Sequence, residues 1–468
     1  MESVNPFTGE TMRRYDETSR EQVDAAIVAA HHAHLAWREQ SFAARAEPMR
    51  RAAALLDERA EEYGRLMALE MGKPIRDGIA EAKKCATGCI YYAENAEKFL
   101  AAQPVELEGR KARVVFKPLG VLLAVMPWNF PFWQVIRFAA PALMAGNAGL
   151  LKHAANVPGC ALALEQLFRD AGFPGHLFRT LLIGNSAVEH VIEHKLVRAV
   201  SLTGSSGAGR AVAGTAGRCL KKTVLELGGS DAYLVLEDAD AGFAAAQGAK
   251  GRLVNGGQSC IAAKRFIVVE SRRAEFERAL AAEMGKAKMG DPLDETTTLG
   301  PMARHDLRDS LHEQVRKSVE RGARCLLGGE IPVGRGAFYP PTVLTDVRKG
   351  MPAYDEEMFG PVAAIISVRD EQDAVRIAND SDFGLGGGIF TRDLARGERL
   401  ASESVEAGLV FVNAPVESNP KLPFGGIKES GYGRELSSFG IHEFVNIKTV
   451  VVASHGGAVA ETQGPLSE

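Results

Sequence analysis

A single cysteine lies in a glycine-rich loop, where it could act as a nucleophile. Cys260 ends the segment NGGQSC and precedes an apolar strand pattern. Because a thiol is mostly protonated near neutral pH, a nucleophilic cysteine needs exposure and electropositive surroundings, which the backbone N–H groups of such a loop supply. The other interpretation is a buried structural cysteine, which is the commoner fate of this residue type. The loop alone leaves both open.

Two further side chains have the chemistry that a cysteine nucleophile needs. Glu226 ends an apolar run and is followed by Gly228 and Gly229, so it is a candidate general base. Asn129 lies in the rigid apolar corner PWNFP at 127–131, and its amide could donate to an oxyanion. The three residues together predict acyl chemistry at a cysteine.

A second group of residues indicates a nucleotide site. The segment TGSSGAG, with Gly204 and Ser205, follows a strand pattern and opens a helix, so its free N–H groups could face a pyrophosphate. It is not the GxGxxG fingerprint, and simple turn geometry favours the same residues. Lys152 ends the strand AGLLK, where its ammonium could bind ribose hydroxyls or simply lie at the surface.

The elements that must position these residues alternate between strand and helix. Such alternation predicts an α/β fold with a parallel, doubly wound sheet that binds nucleotides at the carboxyl ends of its strands. The predicted strands are 121–126, 148–151, 179–183, 198–202, 222–227 and 233–236, and the predicted helices between them are 132–144, 158–171 and 207–218.

Elements on either side complete the predicted architecture. Ser19 and Gln22 form a capping box that opens a helical region reaching Lys73, and a further helix covers 76–100. A polar hairpin at 102–118 is a candidate for pairing with another chain. A second α/β series consists of strands 264–270, 363–368, 385–390 and 408–413 with a helix at 272–288.

Composition excludes several classes of function. The 468 residues suggest two or three domains, and a net charge of −4 offers no basic field for nucleic acid. No window has the roughly 18 uninterrupted apolar residues of a membrane span, and the N-terminus lacks the apolar core of a signal peptide. The six scattered cysteines fit a reducing compartment and no metal site, so we expect a cytoplasmic protein without a membrane or nucleic-acid partner.

Five motifs in order resemble the aldehyde dehydrogenase superfamily: PWNFP, LELGG, GQSC, EEMFGPV and PFGG. The resemblance implies a Rossmann-type nucleotide-binding domain, an α/β catalytic domain and a small β-ribbon oligomerisation domain in a homodimer or homotetramer. The expected bounds are 1–101 with 119–228, then 229–442, then 102–118 with 443–455. The composition of 456–468 predicts a flexible tail.

The resemblance also implies a mechanism and a cofactor, NAD or NADP. Cys260 would attack an aldehyde, the amide of Asn129 would hold the oxyanion, and Glu226 would activate the water that hydrolyses the thioester. The cofactor-binding residues implied by the family are Trp128, Lys152, Gly204, Ser205, Leu227, Glu357 and Phe359. No metal is required.

Within the superfamily, the chain is most similar to bacterial succinate-semialdehyde dehydrogenases. Leu151 to Ala154 match that branch, and Arg137, two helical turns after Asn129, stands where those enzymes place an arginine that could hold a carboxylate. Trp133 and Ser418 are the other expected substrate-binding residues. The alternatives are an enzyme for glutarate semialdehyde or neutral aldehydes, a CoA-acylating enzyme, and a non-catalytic binding protein on the same fold.

Three positions depart from the pattern of the relatives. A second arginine found before the nucleophile in some members is Val254 here, so carboxylate binding must be shared differently. The acidic residue of many NAD-preferring members is Ala155, so nothing repels a 2′-phosphate and the choice between NAD and NADP stays open. Ala262 replaces a second cysteine, which predicts no local disulfide.

Overall fold

The computed structural model describes residues 1–453. The predicted tail at 456–468 and residues 454 and 455 of the predicted ribbon lie outside the described residues. The strands are β1 (Glu2–Val4), β2 (Thr11–Arg14), β3 (Gln103–Leu107), β4 (Arg110–Pro118), β5 (Val121–Met126), β6 (Ala148–His153), β7 (Phe178–Thr180), β8 (Val197–Thr203), β9 (Lys222–Glu226), β10 (Ala232–Val235), β11 (Arg265–Val269), β12 (Arg324–Leu327), β13 (Thr342–Thr345), β14 (Val362–Val368), β15 (Phe383–Gly384), β16 (Gly386–Phe390), β17 (Leu409–Val412), β18 (Ile427–Lys428), β19 (Gly431–Tyr432) and β20 (Val445–Ala453).

The helices are α1 (Arg20–Trp37), α2 (Phe42–Glu58), α3 (Ala60–Met71), α4 (Ile75–Phe99), α5 (Trp133–Met144), α6 (Pro158–Asp170), α7 (Val188–Glu193), α8 (Ser206–Arg218), α9 (Ala241–Leu253), α10 (Glu270–Met284), α11 (His305–Glu320), α12 (Pro352–Asp355), α13 (Glu371–Asn379), α14 (Leu394–Glu403) and α15 (Ser437–Glu443). The capping box predicted at Ser19 and Gln22 opens α1. None of the helices in residues 1–453 combines the length and the apolar character needed to cross a bilayer.

The first sheet has the strand order β19-β9-β8-β5-β6-β7. All of its pairs are parallel except the edge pair of β19 with β9. Its central strand, β5, is almost completely buried, as expected for a parallel sheet that helices cover on both faces. Helices α4 and α5 pack against each other beside this sheet. The prediction of a parallel α/β sheet is confirmed.

The second sheet has the order β12-β13-β14-β11-β10-β16-β17. Strand β10 pairs in parallel with β11 and β16, so the sixth predicted strand, 233–236, belongs to this sheet and not to the first. Close packing explains the glycines of β16, because a Cβ at Gly388 would lie 2.9 Å from the ring of Tyr233. The β1–β2 hairpin, α11 and the strands β12 and β13 were not anticipated in the sequence.

A separate antiparallel sheet contains the predicted hairpin. Its order is β20-β4-β3, and the hairpin turn falls at Glu108 and Gly109 as expected. Strand β20 pairs with β4 from Val445 opposite Pro118 to Ala453 opposite Arg110. The last segment of the chain that the structure describes therefore completes the ribbon.

The predicted division at residue 228 falls between β9 of the first sheet and β10 of the second. One short strand crosses it, because β19 lies within the range 229–442 yet pairs with β9, with Gly431 opposite Glu226. The domain bounds stay a prediction. The crossing matters for the site, since it brings the segment after PFGG beside the end of β9.

Candidate active site

The loop before Cys260 has an unusual backbone. A short 3₁₀ turn at Val254–Gly257 contains three successive positive φ angles: 53° at Asn255, 63° at Gly256 and 75° at Gly257. A side chain at Gly257 would also collide with the backbone at Gly360. The glycine is therefore needed both for its φ and for this close approach.

Two buried cations hold the loop in this shape. Lys264 Nζ donates to the carbonyl oxygens of Ser259 at 2.9 Å and of Cys260 at 2.7 Å. Arg252 Nη2 donates to the carbonyl of Gly257 at 2.6 Å. Neither residue was predicted from the sequence. The available signal was a lysine at the start of an apolar strand, because a buried lysine is rare unless it has partners.

The environment of Cys260 differs from the expectation of a thiol that is readily ionised. Burial raises the pKa of Cys260 to about 12, and the positive charges of Arg137 and Lys264 offset this only in part. The thiol is therefore protonated near neutral pH in the absence of ligands. A base must remove its proton before it can attack.

Asn129 is bound to the same loop. Its side-chain Nδ2 donates to the backbone carbonyl of Gln258 at 3.1 Å, and its backbone carbonyl accepts from Nδ2 of Asn255 at 2.7 Å. An amide nitrogen has two protons, so one remains for another acceptor. The backbone N–H of Cys260 also has no acceptor among residues 1–453. Together these two donors can form an oxyanion hole.

Glu226 is a buried carboxyl at the end of β9. Neither of its oxygens has a hydrogen-bond partner in the part of the chain that the structure describes. Burial raises its pKa well above the usual value, and the neighbouring carboxyl of Glu435 raises it further, while Arg137 and Arg434 act in the opposite direction. A carboxyl with a raised pKa can accept and release protons near neutral pH, which suits a general base.

Arg137 is buried in α5 and has a partner that the sequence did not reveal. Its guanidinium forms an ion pair with Glu435 and lies 4.4 Å from the ring centroid of Phe424. Its Nη2 has no hydrogen-bond partner within residues 1–453. Glu435 thus compensates the charge of Arg137, while one nitrogen remains available to a ligand.

Two cavities meet at Cys260, which lines both. The first, of about 450 Å³, contains all three predicted substrate-binding residues: Trp133, Arg137 and Ser418. The second, of about 260 Å³, contains Asn129 and six of the predicted cofactor-binding residues: Trp128, Gly204, Ser205, Leu227, Glu357 and Phe359. The structure thus places the expected nucleophile between the expected substrate and cofactor sites.

Lys152 and Glu226 line neither cavity. Lys152 lies at the carboxyl end of β6, where its Nζ donates to Oδ1 of Asn185 at 2.7 Å. Glu226 lies close to the glycines of PFGG, because a Cβ at Gly425 would come 2.6 Å from its Oε1. Glu226 is therefore placed beside the PFGG loop.

The second cavity has features that suit a dinucleotide. Ser205 caps α8 through a hydrogen bond from the N–H of Ala208 at 3.3 Å, so the positive end of this helix faces the cavity wall that Ser205 forms. Glu357 Oε1 accepts from the N–H of Gly229 at 2.9 Å. The rings of Trp128 and Phe359 lie edge to face at 5.8 Å. The donor set fits phosphate and ribose groups, and no cluster able to hold a metal ion occurs within residues 1–453.

The sequence profile of the aldehyde dehydrogenase family matches residues 1–450. The chain belongs to the aldehyde dehydrogenase family. Its similarity to an aldehyde dehydrogenase of Paenarthrobacter nicotinovorans is 49% identity over 96% of this chain and 98% of that protein. A probable NADP(+) succinate-semialdehyde dehydrogenase of Synechocystis is 47% identical over 96% of this chain and 99% of the relative.

A solved aldehyde dehydrogenase structure agrees with this fold. Succinic semialdehyde dehydrogenase from Streptococcus pyogenes, crystallised with NADP+ as the cofactor, superimposes with a TM-score of 0.95 at 36% identity. The match covers 97% of this chain and all of the other. The predicted aldehyde dehydrogenase fold is confirmed.

Proposed function

We propose that this aldehyde dehydrogenase oxidises succinate semialdehyde to succinate with NAD(P). The observation that carries the proposal is the composition of the first cavity: an apolar passage to Cys260 that also contains Arg137, Trp133 and Ser418. Polar donors in such a place favour an aldehyde with an anionic group at its other end. The names of the Synechocystis and Streptococcus pyogenes relatives support the same substrate.

The first chemical step is addition of Cys260 to the aldehyde. Because the pKa of the thiol is about 12, Glu226 or a water linked to it takes the proton. The sulfur then bonds to the carbonyl carbon, and the carbonyl electron pair moves onto oxygen. Asn129 Nδ2 and the Cys260 N–H stabilise this oxyanion.

The second step is release of the acid. NAD(P), when bound, would supply the acceptor for the hydride of this carbon. The role of Cys260 is to keep the acyl group as a thioester until water reaches it. After it has released the thiol proton to solvent, Glu226 takes a proton from water, the resulting hydroxide adds to the acyl carbon, and the C–S bond breaks with its electrons on sulfur, which is then free to take a proton again. The presence of Glu226 favours release of free acid over transfer to CoA.

The cofactor would be held by residues of the second cavity and by Lys152. Gly204, Ser205 and the N-terminus of α8 suit the pyrophosphate, while Lys152 and Glu357 suit ribose hydroxyls. Trp128, Leu227 and Phe359 supply apolar surface for the rings. In this arrangement the protein orients the cofactor toward Cys260, which lines the same cavity.

The test of the substrate is the initial rate of reduced-coenzyme formation with succinate semialdehyde and with butanal, each with NAD and with NADP. We expect a clear preference for the semialdehyde. Equal or faster oxidation of butanal would leave the mechanism in place and support the broader enzyme instead, which the apolar residues Phe130, Leu253 and Ile261 of the same cavity favour.

The lack of an acidic side chain at Ala155 favours acceptance of NADP beside NAD. The residue is exposed and lies three positions after Lys152, where many NAD-preferring members of the family carry an acidic side chain. We expect Ala155→Glu to lower kcat/KM for NADP about 10- to 100-fold through repulsion of the 2′-phosphate, with a smaller effect for NAD. Ala155→Gln is the uncharged control. Equal losses for both coenzymes would contradict the role of charge.

The β20-β4-β3 ribbon is the surface that would join subunits into a homodimer or homotetramer. It exposes apolar side chains on β3 and β20, including Leu107, Ile447 and Val452, and its edge strand β3 has free backbone groups. The cytoplasm is the compartment that fits best, because all six cysteines are free thiols.

A further inference from the structure

A second cation, Lys84, lies in the substrate cavity close to the predicted substrate-binding residues. It comes from α4, which supplied no residue to the expected site. Its Nζ donates to Oγ of Ser418 at 2.7 Å and lies 4.7 Å from the ring centroid of Trp133. Trp133 Nε1 donates to the same Oγ at 3.0 Å. Three elements distant in sequence thus form one polar cluster.

The hydrogen bonds of this cluster leave one proton unused. A serine hydroxyl can accept two hydrogen bonds and donate one. Ser418 Oγ accepts from Lys84 and from Trp133, and it donates to no acceptor within residues 1–453. Its O–H proton therefore remains available to an acceptor in the cavity. A hydroxyl held between an ammonium and an indole N–H is a strong donor for a carboxylate.

The charges in the cavity show which cation is uncompensated. Lys73 is paired with Glu81, and Arg137 is paired with Glu435. Two cations of the lining, Lys84 and Lys250, have no carboxylate partner within ion-pair distance in the described part of the chain. Lys250 is exposed to solvent, so Lys84 is the one of the two that is partly buried. A partly buried charge without a counterion is unfavourable, so an incoming anion gains more free energy at Lys84 than at the neutralised Arg137–Glu435 pair.

We propose that Lys84, together with the Ser418 hydroxyl, binds the distal carboxylate of the substrate and makes the enzyme selective for anionic aldehydes. Lys84 then takes the place of the second arginine that Val254 does not supply. Arg137 contributes its free Nη2, but its pair with Glu435 carries little net charge. This inference rests on the proposed function, since it names the residue by which that function selects its substrate.

Solvent pH provides an independent readout of Lys84. Burial and the nearby charge of Arg137 lower its pKa to about 8, so Lys84 is charged below that pH and loses its charge above it. Other groups that act on it are Cys85 and Glu81 from its own helix, Glu417 from the loop before Ser418, and at the cavity wall Asp77 and Lys250. The ratio of kcat/KM for succinate semialdehyde to kcat/KM for butanal should therefore fall as pH rises from about 7 to about 9. The pH dependence that comes from Cys260 and Glu226 cancels in this ratio, because both substrates need the same chemistry.

The experiment compares Lys84→Met, Lys84→Arg and Lys83→Met with the unmodified full-length enzyme. Lys83 is the exposed neighbour on α4 and serves as the matched control. We expect Lys84→Met to lower the semialdehyde-to-butanal ratio about 10- to 100-fold and to remove its pH dependence. Lys84→Arg should retain most of the semialdehyde-to-butanal ratio, and in this variant the ratio should not change with pH. Lys83→Met should match the unmodified enzyme.

Inhibition by succinate separates binding from chemistry. Succinate should inhibit butanal oxidation competitively in the unmodified enzyme, and Lys84→Met should weaken this inhibition about 10-fold or more, while butyrate serves as the single-headed control. If the unmodified enzyme prefers the semialdehyde and Lys84→Met keeps that preference, this inference is overturned and the proposed function stands. If the unmodified enzyme shows no preference, both are overturned. Oxidation of butanal by Lys84→Met shows that the variant is folded.

Discussion

Replacing Cys260 with alanine is expected to abolish aldehyde oxidation while coenzyme binding persists. The side chain lines both the substrate cavity and the cofactor cavity, so it is the group that can bond to an aldehyde placed between them. Without it no thiohemiacetal forms, and removal of a covalent nucleophile typically lowers kcat about 10⁴-fold or more. Reduced-coenzyme formation at saturating aldehyde measures the loss.

Two controls make this result specific. Cys219→Ala changes a partly exposed cysteine at the end of α8, outside both cavities, and should retain full activity. Binding of NADP to Cys260→Ala, followed by quenching of the tryptophan fluorescence to which Trp128 contributes, should resemble that of the unmodified protein. Substantial turnover by Cys260→Ala would refute its assignment as the nucleophile. Absence of turnover in the unmodified enzyme with every aldehyde tested would favour the non-catalytic binding protein.

Replacing Glu226 with glutamine is expected to slow steady-state turnover about 10²- to 10⁴-fold, the usual contribution of a general base. The substitution preserves size and shape while removing the ionisable oxygen, which matters because the side chain is almost fully enclosed. If Glu226 acts mainly on the thioester, the first turnover should still give a burst of reduced coenzyme equal to the active-site concentration. Rapid-mixing measurements of this burst and of the later steady rate separate the two steps.

The pH profile of kcat provides a second measurement for Glu226. Its pKa is raised by burial and by Glu435, so the unmodified enzyme should lose activity as pH falls through this raised value and Glu226 becomes protonated. Glu226→Gln should lack that acidic limb. Glu97→Gln, on the exposed side of α4, is the matched control and should keep the limb. A Glu226→Gln enzyme with an unchanged rate would exclude Glu226 as the base.

Arg137 is a less informative target, although the sequence singled it out. It neutralises the buried carboxyl of Glu435, and removal of one partner from a buried ion pair typically costs about 3–5 kcal/mol of stability. A loss of activity in Arg137→Ala would therefore mix a structural effect with loss of substrate binding. Lys84 has no such partner, so its replacement reports more directly on the carboxylate.

The sequence alone predicted the fold class, which is confirmed, and a set of reacting groups, which stays a prediction. Strand and helix periodicity are local properties, and they located β5, β8, α5 and the hairpin of β3 and β4 within a few residues. The motifs around Cys260, Glu226 and Asn129 pointed to side chains by chemical type; Cys260 and Asn129 line the expected cavities, whereas Glu226 lies beside the PFGG loop.

The hydrogen-bond partners, the charge compensation and the pKa values of these groups follow only from the tertiary structure. Lys84 and Ser418 are 334 residues apart in the chain, and no local pattern could reveal that they share a hydrogen bond. The same holds for the pair of Arg137 with Glu435 and for the burial that raises the pKa of Cys260. Periodicity reports which face of an element is apolar, whereas charge compensation and pKa depend on which distant elements meet there.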